Sequence, residues 1–258
     1  MKFPHIRTLT EKSKMLDFHA HVLPCVDDGS GSVKESVLML EALFLQGVTT
    51  VCATPHFYAE KTSLQEFIKK RSVAWESLKP KLTKNMPQVM LGAEVHYYEG
   101  ICHTESISEL KLSGTDYLLV EMPYKPWTKR EVSAILNLNK RPDLTVVLAH
   151  VERYQRCVSK DVWHELLQNG VLMQANALFF NSFFTKKKAL NMLLDGQIHF
   201  LGTDAHNMTT RKPRMDEALC NITKRLGSDY INRFSRMEAY LKSEKQDTFN
   251  TVGTVAGC

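Results

Sequence analysis

No run of about 18 apolar residues occurs anywhere in the 258-residue chain, and its start, MKFPHIRTLTEKSKML, has no continuous apolar segment. Neither a transmembrane span nor a secretory signal is therefore expected, and the expected location is the cytoplasm. The six cysteines, at 25, 52, 102, 157, 220 and 258, form no C-x-x-C pair and no zinc-finger spacing, so they read as reduced thiols. None has an arginine six positions later, which excludes the C-x5-R loop of cysteine-dependent phosphatases. G-x-S-x-G, the Walker loop and G-x-G-x-x-G are also missing. HELLQ at 164 begins like a zincin helix but lacks the second histidine. Lysine and arginine are spread along the chain with no basic stripe interleaved with aromatics, so nucleic acid is not an expected partner. There is no internal repeat and no low-complexity linker.

What is present is ordinary in bulk: 43% hydrophobic and 24% charged residues, as in a soluble globular domain, with a net charge of +5 that would suit an anionic substrate without singling one out. Apolar runs rich in β-branched residues alternate with amphipathic stretches. Strands are expected at 15–20, 49–54, 88–93, 116–121, 145–150, 171–176 and 198–203. Helices are expected near 64–79, 128–139, 160–169, 184–194, 211–225 and 228–243. The best-signalled helix follows the first strand: Ser32 and Glu35 have capping-box spacing, Val37, Leu40, Phe44 and Leu45 form an apolar stripe, and Gly47 stands where a C-terminal cap belongs. Strands alternating with helices imply one parallel, barrel-like α/β domain over 15–245. Residues 1–14 precede it as an N-terminal extension, and 246–258 lack periodicity and read as a loose tail.

The chemistry lies at the strand ends. DFHAHVLPCVDDGS (17–30) places His19 and His21 at the end of the first strand and Asp28 just beyond it. The second strand leads to His56, the third to Glu94, the fourth to Glu121, the fifth to His150, and the seventh to Asp204 and His206; the sixth, ending at Asn176, offers no ligand. In parallel α/β folds the C-terminal strand ends build the active site, so these residues converge in space. Alternation puts Asp17, His19 and His21 on one side, and Asp204 and His206 on one side. Mixed imidazole and carboxylate donors suit Zn, Mn or Fe, and so many of them exceed what one ion takes. His5, His103, His164 and His199 read as ordinary structural or surface residues, Asp27 as a turn residue, Arg156 and Arg214 as surface arginines, and Lys186 to Lys188 as a solvated helix face. His96 shares the parity of Glu94 but is left out of the ligand set.

With DFHAHVLPCVDDGS, TTVCATPHFY, GAEVHY, HVERY and LGTDAHN in this order, the chain resembles the PHP (polymerase and histidinol phosphatase) superfamily. Within it the likeness is to the bacterial protein-tyrosine phosphatases of capsule and exopolysaccharide operons, the CpsB/YwqE type. The resemblance implies a distorted (β/α)7 barrel holding two or three divalent ions, manganese first, with iron or zinc as alternatives. It implies one ion on His19, His21, Glu94 and Asp204, a second on Glu94, Glu121 and His150, and a third on Asp28, His56 and His206. Arg153 and Arg211 match the family's phosphate-binding arginines. The implied activity is hydrolysis of phosphotyrosine by a metal-bridging hydroxide, with a bacterial tyrosine kinase as protein substrate, no membrane insertion, and a homo-oligomer allowed for. The alternative is a small-molecule phosphomonoesterase such as a histidinol-phosphate phosphatase. Cys25 departs from the family pattern, standing where a small residue such as glycine is usual.

Overall fold

Seven passes of apolar, β-branched chain form parallel strands in the computed structural model, which describes residues 15–232 and 234. They are β1 (Met15–Ala20), β2 (Val48–Ala53) continued by β3 (His56–Phe57), β4 (Gln88–Leu91) continued by β5 (Glu94–His96), β6 (Tyr117–Glu121), β7 (Thr145–Leu148), β8 (Leu172–Asn176) and β9 (Phe200–Gly202). Two passes are broken for local reasons. Pro55 has no N–H to give to a ladder between β2 and β3. At Gly92, between β4 and β5, a Cβ would meet the Leu112 side chain at 2.5 Å, so only glycine lets the chain approach that loop.

Hydrogen bonding orders the strands β4-β2-β1 in one sheet and β3-β5-β6-β7-β8-β9 in the other. Since β2 runs into β3 and β4 into β5, both sheets belong to one curled surface. A bridge between Ala20 and Ala205 brings the first pass beside the last, with His21 N–H donating to Ala205 O at 2.8 Å and Asp204 N–H to His19 O at 2.7 Å. The expected distorted (β/α)7 barrel is the fold observed.

Helices α1 (Val33–Leu45), α2 (Leu64–Leu78), α3 (Lys129–Asn139), α4 (Lys160–Gln168), α5 (Ala177–Asn181) and α6 (Lys186–Leu194) connect the passes, and α7 (Met215–Leu226) follows the last. Between β5 and β6 two 3-10 turns, Ile101–His103 and Glu105–Leu110, replace the helix. Short α5 is not foreshadowed in the sequence. The helix expected from 211 starts only at Met215, because the residue before Pro213 is disfavoured in helical conformation. Residues 228–232 are helical; 1–14, most of the remainder of the helix expected to 243, and the tail 246–258 lie outside the described residues. In α1 the buried face is Ser36, Met39, Leu40 and Leu43, whereas Leu45, expected in the stripe, is 86% exposed. Ser32 does accept from Glu35 N–H, but the Glu35 carboxylate accepts from Gly31 and Met208 amides instead of closing a capping box.

A small cluster of Leu16, Phe18, Cys52, Met90, Leu112, Leu119, Val147, Ala149 and Phe200, with no helix residue, fills the barrel interior. The alternate strand residues, among them Met15, Ala20, Val51, Val120 and Leu148, face outward into the larger core shared with the helices. The ladder pairs Asp17 with Val51 and Ala20 with Ala53, three steps on β1 against two on β2, so β1 carries a bulge. The bulge changes the alternation expected for the first strand: Phe18 points inward, stacked on Phe200 with ring centroids 4.0 Å apart, and His19 follows it into the interior.

Candidate metal centre

Glu94 stands at the middle of the mouth, fully buried, with its two carboxylate oxygens facing different partners. Its Oε1 lies 2.8 Å from His150 Nε2; its Oε2 lies 3.0 Å from His19 Nε2, 3.2 Å from His21 Nε2 and 3.0 Å from His56 Nδ1. Asp204 Oδ1 is 3.7 Å from His19 and 3.4 Å from His21, and Glu121 Oε1 is 3.3 Å from His150. Asp28, 65% exposed at the rim, places Oδ1 3.6 Å from His56 and 3.5 Å from His206. All nine residues singled out in the sequence thus meet in one place. Three overlapping sets keep one donor atom per residue within 4.8 Å of one another: His21, Asp28, His56 and His206; His19, His21 and Asp204; and His56, Glu94 and Glu121.

Two of these residues have strained backbone, and for one of them the strain is what brings the side chain inside. By alternation from Val147 and Ala149, His150 belongs on the outer face, yet its φ of +33° turns it inward. Asp204 has φ +53°. Left-handed conformations at non-glycine residues cost roughly 1–3 kcal/mol each and persist where the surroundings hold them.

The histidines are aimed by their second nitrogens. His19 Nδ1 faces Gln174 Oε1 at 3.2 Å, His21 Nδ1 faces Asp27 Oδ2 at 2.6 Å, and His206 Nδ1 faces Asp204 O at 2.9 Å. With those nitrogens donating, each Nε2 is aimed at the shared centre, where a bound cation would replace the protons that His19 and His21 share with Glu94 and leave lone pairs to ligate it. His19 Nε2 and His21 Nε2 are only 3.1 Å apart, and His206 Nε2 is buried without a hydrogen-bond partner. Lone pairs crowded among buried carboxylates are relieved by a cation, so the donor set fits divalent metal. Burial, then the charge of His21, push His206 down to about 4, which keeps it neutral and able to ligate. Burial works against ionisation of Glu94, but His19 and hydrogen bonds from His150, His19 and His21 outweigh it and hold the carboxylate well below its ordinary range. For His150 burial is likewise outweighed, by Glu121 and Glu94, which raise it to about 9.

Several expectations need correcting. Asp27 is no mere turn residue: it also accepts from the His56 and Gly29 amides, tying the first loop to β3. Asp17, expected on the same face as the His19 imidazole, accepts from the His19 amide and from the Thr203 amide and hydroxyl and pins β1 to the end of β9, because the bulge leaves it on the outer face. Strand β8, expected to offer no ligand, supplies a relay behind the ligands: Gln174 Nε2 donates to Asn176 Oδ1, and Asn176 Nδ2 to Asp204 Oδ2, each at 3.0 Å. His96, left out of the expected ligands, lies 3.1 Å from Glu121. A signal for β8 was available, since Gln174 and Asn176 are polar residues of one parity in an otherwise apolar strand.

Arg153 and Arg211 close the mouth from above. Arg153 Nη2 donates to Asp204 Oδ2 at 3.0 Å and Arg211 Nη2 pairs with Asp204 Oδ1 at 2.8 Å, both guanidiniums remaining about 40% exposed. They border a cavity of about 380 Å³ whose floor is Glu94, His150 and Asp204 and whose walls include Tyr58 and Leu178. Arg214, read from sequence as a surface arginine, also borders it.

A parallel barrel whose mouth gathers imidazoles and carboxylates beneath two arginines is equipped to hold divalent cations beside an oxyanion. The chain belongs to the CpsB/CapC family of capsular polysaccharide synthesis, whose profile matches residues 15–240. It is 29% identical to the tyrosine-protein phosphatase YwqE of Bacillus subtilis strain 168 over 83% of this chain and 86% of that protein. It is 28% identical to the tyrosine-protein phosphatase CpsB of Streptococcus pneumoniae over 83% of this chain and 92% of that one. A crystal structure from a study of YwqE and CpsB, described as metal-dependent tyrosine phosphatases, has the same fold, with a TM-score of 0.76 at 24% identity over 90% of this chain and 95% of that chain. Among the described residues no helix is long and apolar enough to cross a membrane.

Proposed function

We propose that this protein is a metal-dependent protein-tyrosine phosphatase acting on a phosphotyrosine-bearing protein of capsule or exopolysaccharide synthesis, a bacterial tyrosine kinase being the substrate expected. The observation that carries this reading is Glu94, whose two oxygens face His150 on one side and His19, His21 and His56 on the other, directly below Arg153 and Arg211. The names of the relatives support the choice of phosphotyrosine.

In this reading His19, His21, Asp28, His56, Glu94, Glu121, His150, Asp204 and His206 hold two or three divalent ions, with Glu94 shared between two of them. Mixed nitrogen and oxygen donors favour manganese, iron or zinc over magnesium or calcium. When bound, the ions supply Lewis acidity and lower the pKa of water toward neutrality. The protein's own part is positioning and charge. Arg153 and Arg211 transfer their paired donors from Asp204 to the phosphoryl oxygens, which a planar guanidinium matches two at a time. Tyr58 and Leu178 give the aryl ring of the substrate an apolar wall. Gln174, Asp27 and Tyr154, whose hydroxyl lies 3.2 Å from His150 Nδ1, keep the imidazoles in place during turnover. A phenolate leaves more readily than an alkoxide, so phosphotyrosine asks less of a general acid.

The test compares turnover of a phosphotyrosyl peptide and of histidinol phosphate by manganese-loaded protein. Faster hydrolysis of the peptide is expected; a clear preference for histidinol phosphate would reassign the protein to metabolite hydrolysis.

A further inference from the structure

A second cavity, of about 250 Å³, adjoins the first and shares Arg153 with it. Besides Arg153 it is bordered by Tyr124, Glu152, Gln155, Arg156 and Lys188. Its cations differ from those of the metal mouth. Arg153 is engaged by Glu121 and Asp204, whereas among the described residues Arg156 and Lys188 form no ion pair, and both are exposed. Glu152, the one acid on the border, is half-buried and turned to the backbone, where it accepts from Asn176 N–H at 3.3 Å. The cavity therefore presents two uncompensated positive charges next to the arginine that faces the phosphoryl site.

The spacing is set by the local fold. Arg153 and Arg156 lie three residues apart in a 3-10 helix over Val151–Arg156. With about three residues per turn and about 2 Å of rise each, residues three apart eclipse on one face, about 6 Å from one another along the axis. In an extended peptide, side chains two residues apart also share a face and lie about 6.6 Å apart. We propose that Arg156 and Lys188 form a second anion subsite, occupied by a negatively charged side chain two residues from the phosphotyrosine on the same extended peptide. This rests on the phosphatase reading for the occupant of the first cavity. The group bound is a second phosphotyrosine or a carboxylate, both of which present oxygens to these cations.

The experiment uses the full chain loaded with manganese. Fluorescence anisotropy measures binding, and phosphate release measures kcat/KM, for three peptides identical except two residues from the phosphotyrosine: alanine, glutamate or a second phosphotyrosine. Wild-type protein should favour an acidic peptide over the alanine peptide by about tenfold in both measurements, the worth of one charge-assisted contact. Arg156→Gln with Lys188→Gln should abolish the preference while leaving the alanine peptide and p-nitrophenyl phosphate unchanged. Preference for phosphotyrosine over glutamate would identify phosphoryl as the group bound, and the reverse would identify carboxylate. Equal binding of all three peptides by the wild type, or a preference that survives the double substitution, would overturn the subsite. If neither peptides nor p-nitrophenyl phosphate are hydrolysed, the phosphatase reading fails, and the anisotropy comparison still decides whether the subsite exists.

Discussion

The floor and the mouth of the barrel are built from the same strands, a few residues apart, and they are chemical opposites. Going up each inward face, Phe18 gives way to His19, Cys52 to His56, Met90 to Glu94, Leu119 to Glu121, and Phe200 to Asp204. Below, stacked rings and apolar side chains exclude water; above, buried charges are held by one another. A cluster of ionisable groups is costly to bury unless each is paired and oriented. The dry floor supplies what the mouth needs, rigid support and a low dielectric that strengthens every contact above it. At the junction a Cβ on Gly202 would lie 2.6 Å from His19 Cβ and 2.7 Å from Gln174 Nε2, so the transition leaves no room even for a methyl group.

The sharpest way to break the mouth without touching the floor is Glu94→Gln, which keeps the volume and removes the charge shared between the two sides. Activity on a phosphotyrosyl peptide should fall at least about a thousandfold and bound metal should drop, because a shared ligand serves more than one ion. Elemental analysis beside the assay checks both, and activity near wild type would refute the metal assignment. The converse substitution is Phe200→Ala, which empties the floor beneath an intact mouth. Removing a buried aromatic ring costs about 3–5 kcal/mol of stability. Urea melts should show that loss, while metal content per folded molecule stays at the wild-type value; loss of metal at full stability would mean that the floor shapes the ligands directly.

The same contrast explains what could be read from the sequence. The strands were visible as apolar runs, and the nine candidate ligands as titratable residues recurring at their ends, because burial and strand polarity leave local traces. The partners were not visible. Asp17 was placed beside His19 by alternation, but a bulge, a property of pairing with β2, sends it to Thr203. His150 has the wrong parity and reaches the site only through its left-handed backbone. Gln174 lies 155 positions from His19, and no local pattern says which imidazole it will hold.

Gln174 offers the next test, since it belongs to the mouth but is not a ligand. Gln174→Ala removes the acceptor for His19 Nδ1 and for His150 N–H, and frees Asn176 from its partner. Losing such a support typically weakens metal affinity by about 10- to 100-fold. Titration of metal into chelator-treated protein should show a shift of that size, with activity restored at high metal. An unchanged affinity would mean that packing alone orients His19.

The smallest effect lies at the edge of the mouth, where Cys25 has φ +58° in the loop between β1 and α1. A left-handed conformation costs a residue with a Cβ about 1–2 kcal/mol. Glycine avoids that cost but gives up about 0.5–1 kcal/mol of chain entropy. Cys25→Gly should therefore stabilise the fold by at most about 1 kcal/mol, even though it loses the weak bond from Sγ to Gly31 O. Cys25→Ala keeps the strained Cβ and loses the same bond, so it should fall slightly below wild type. Thermal melts of the two variants at equal metal loading separate the contributions. If both are destabilised alike, the thiol contact governs the turn; if glycine alone is stabilised, the backbone does.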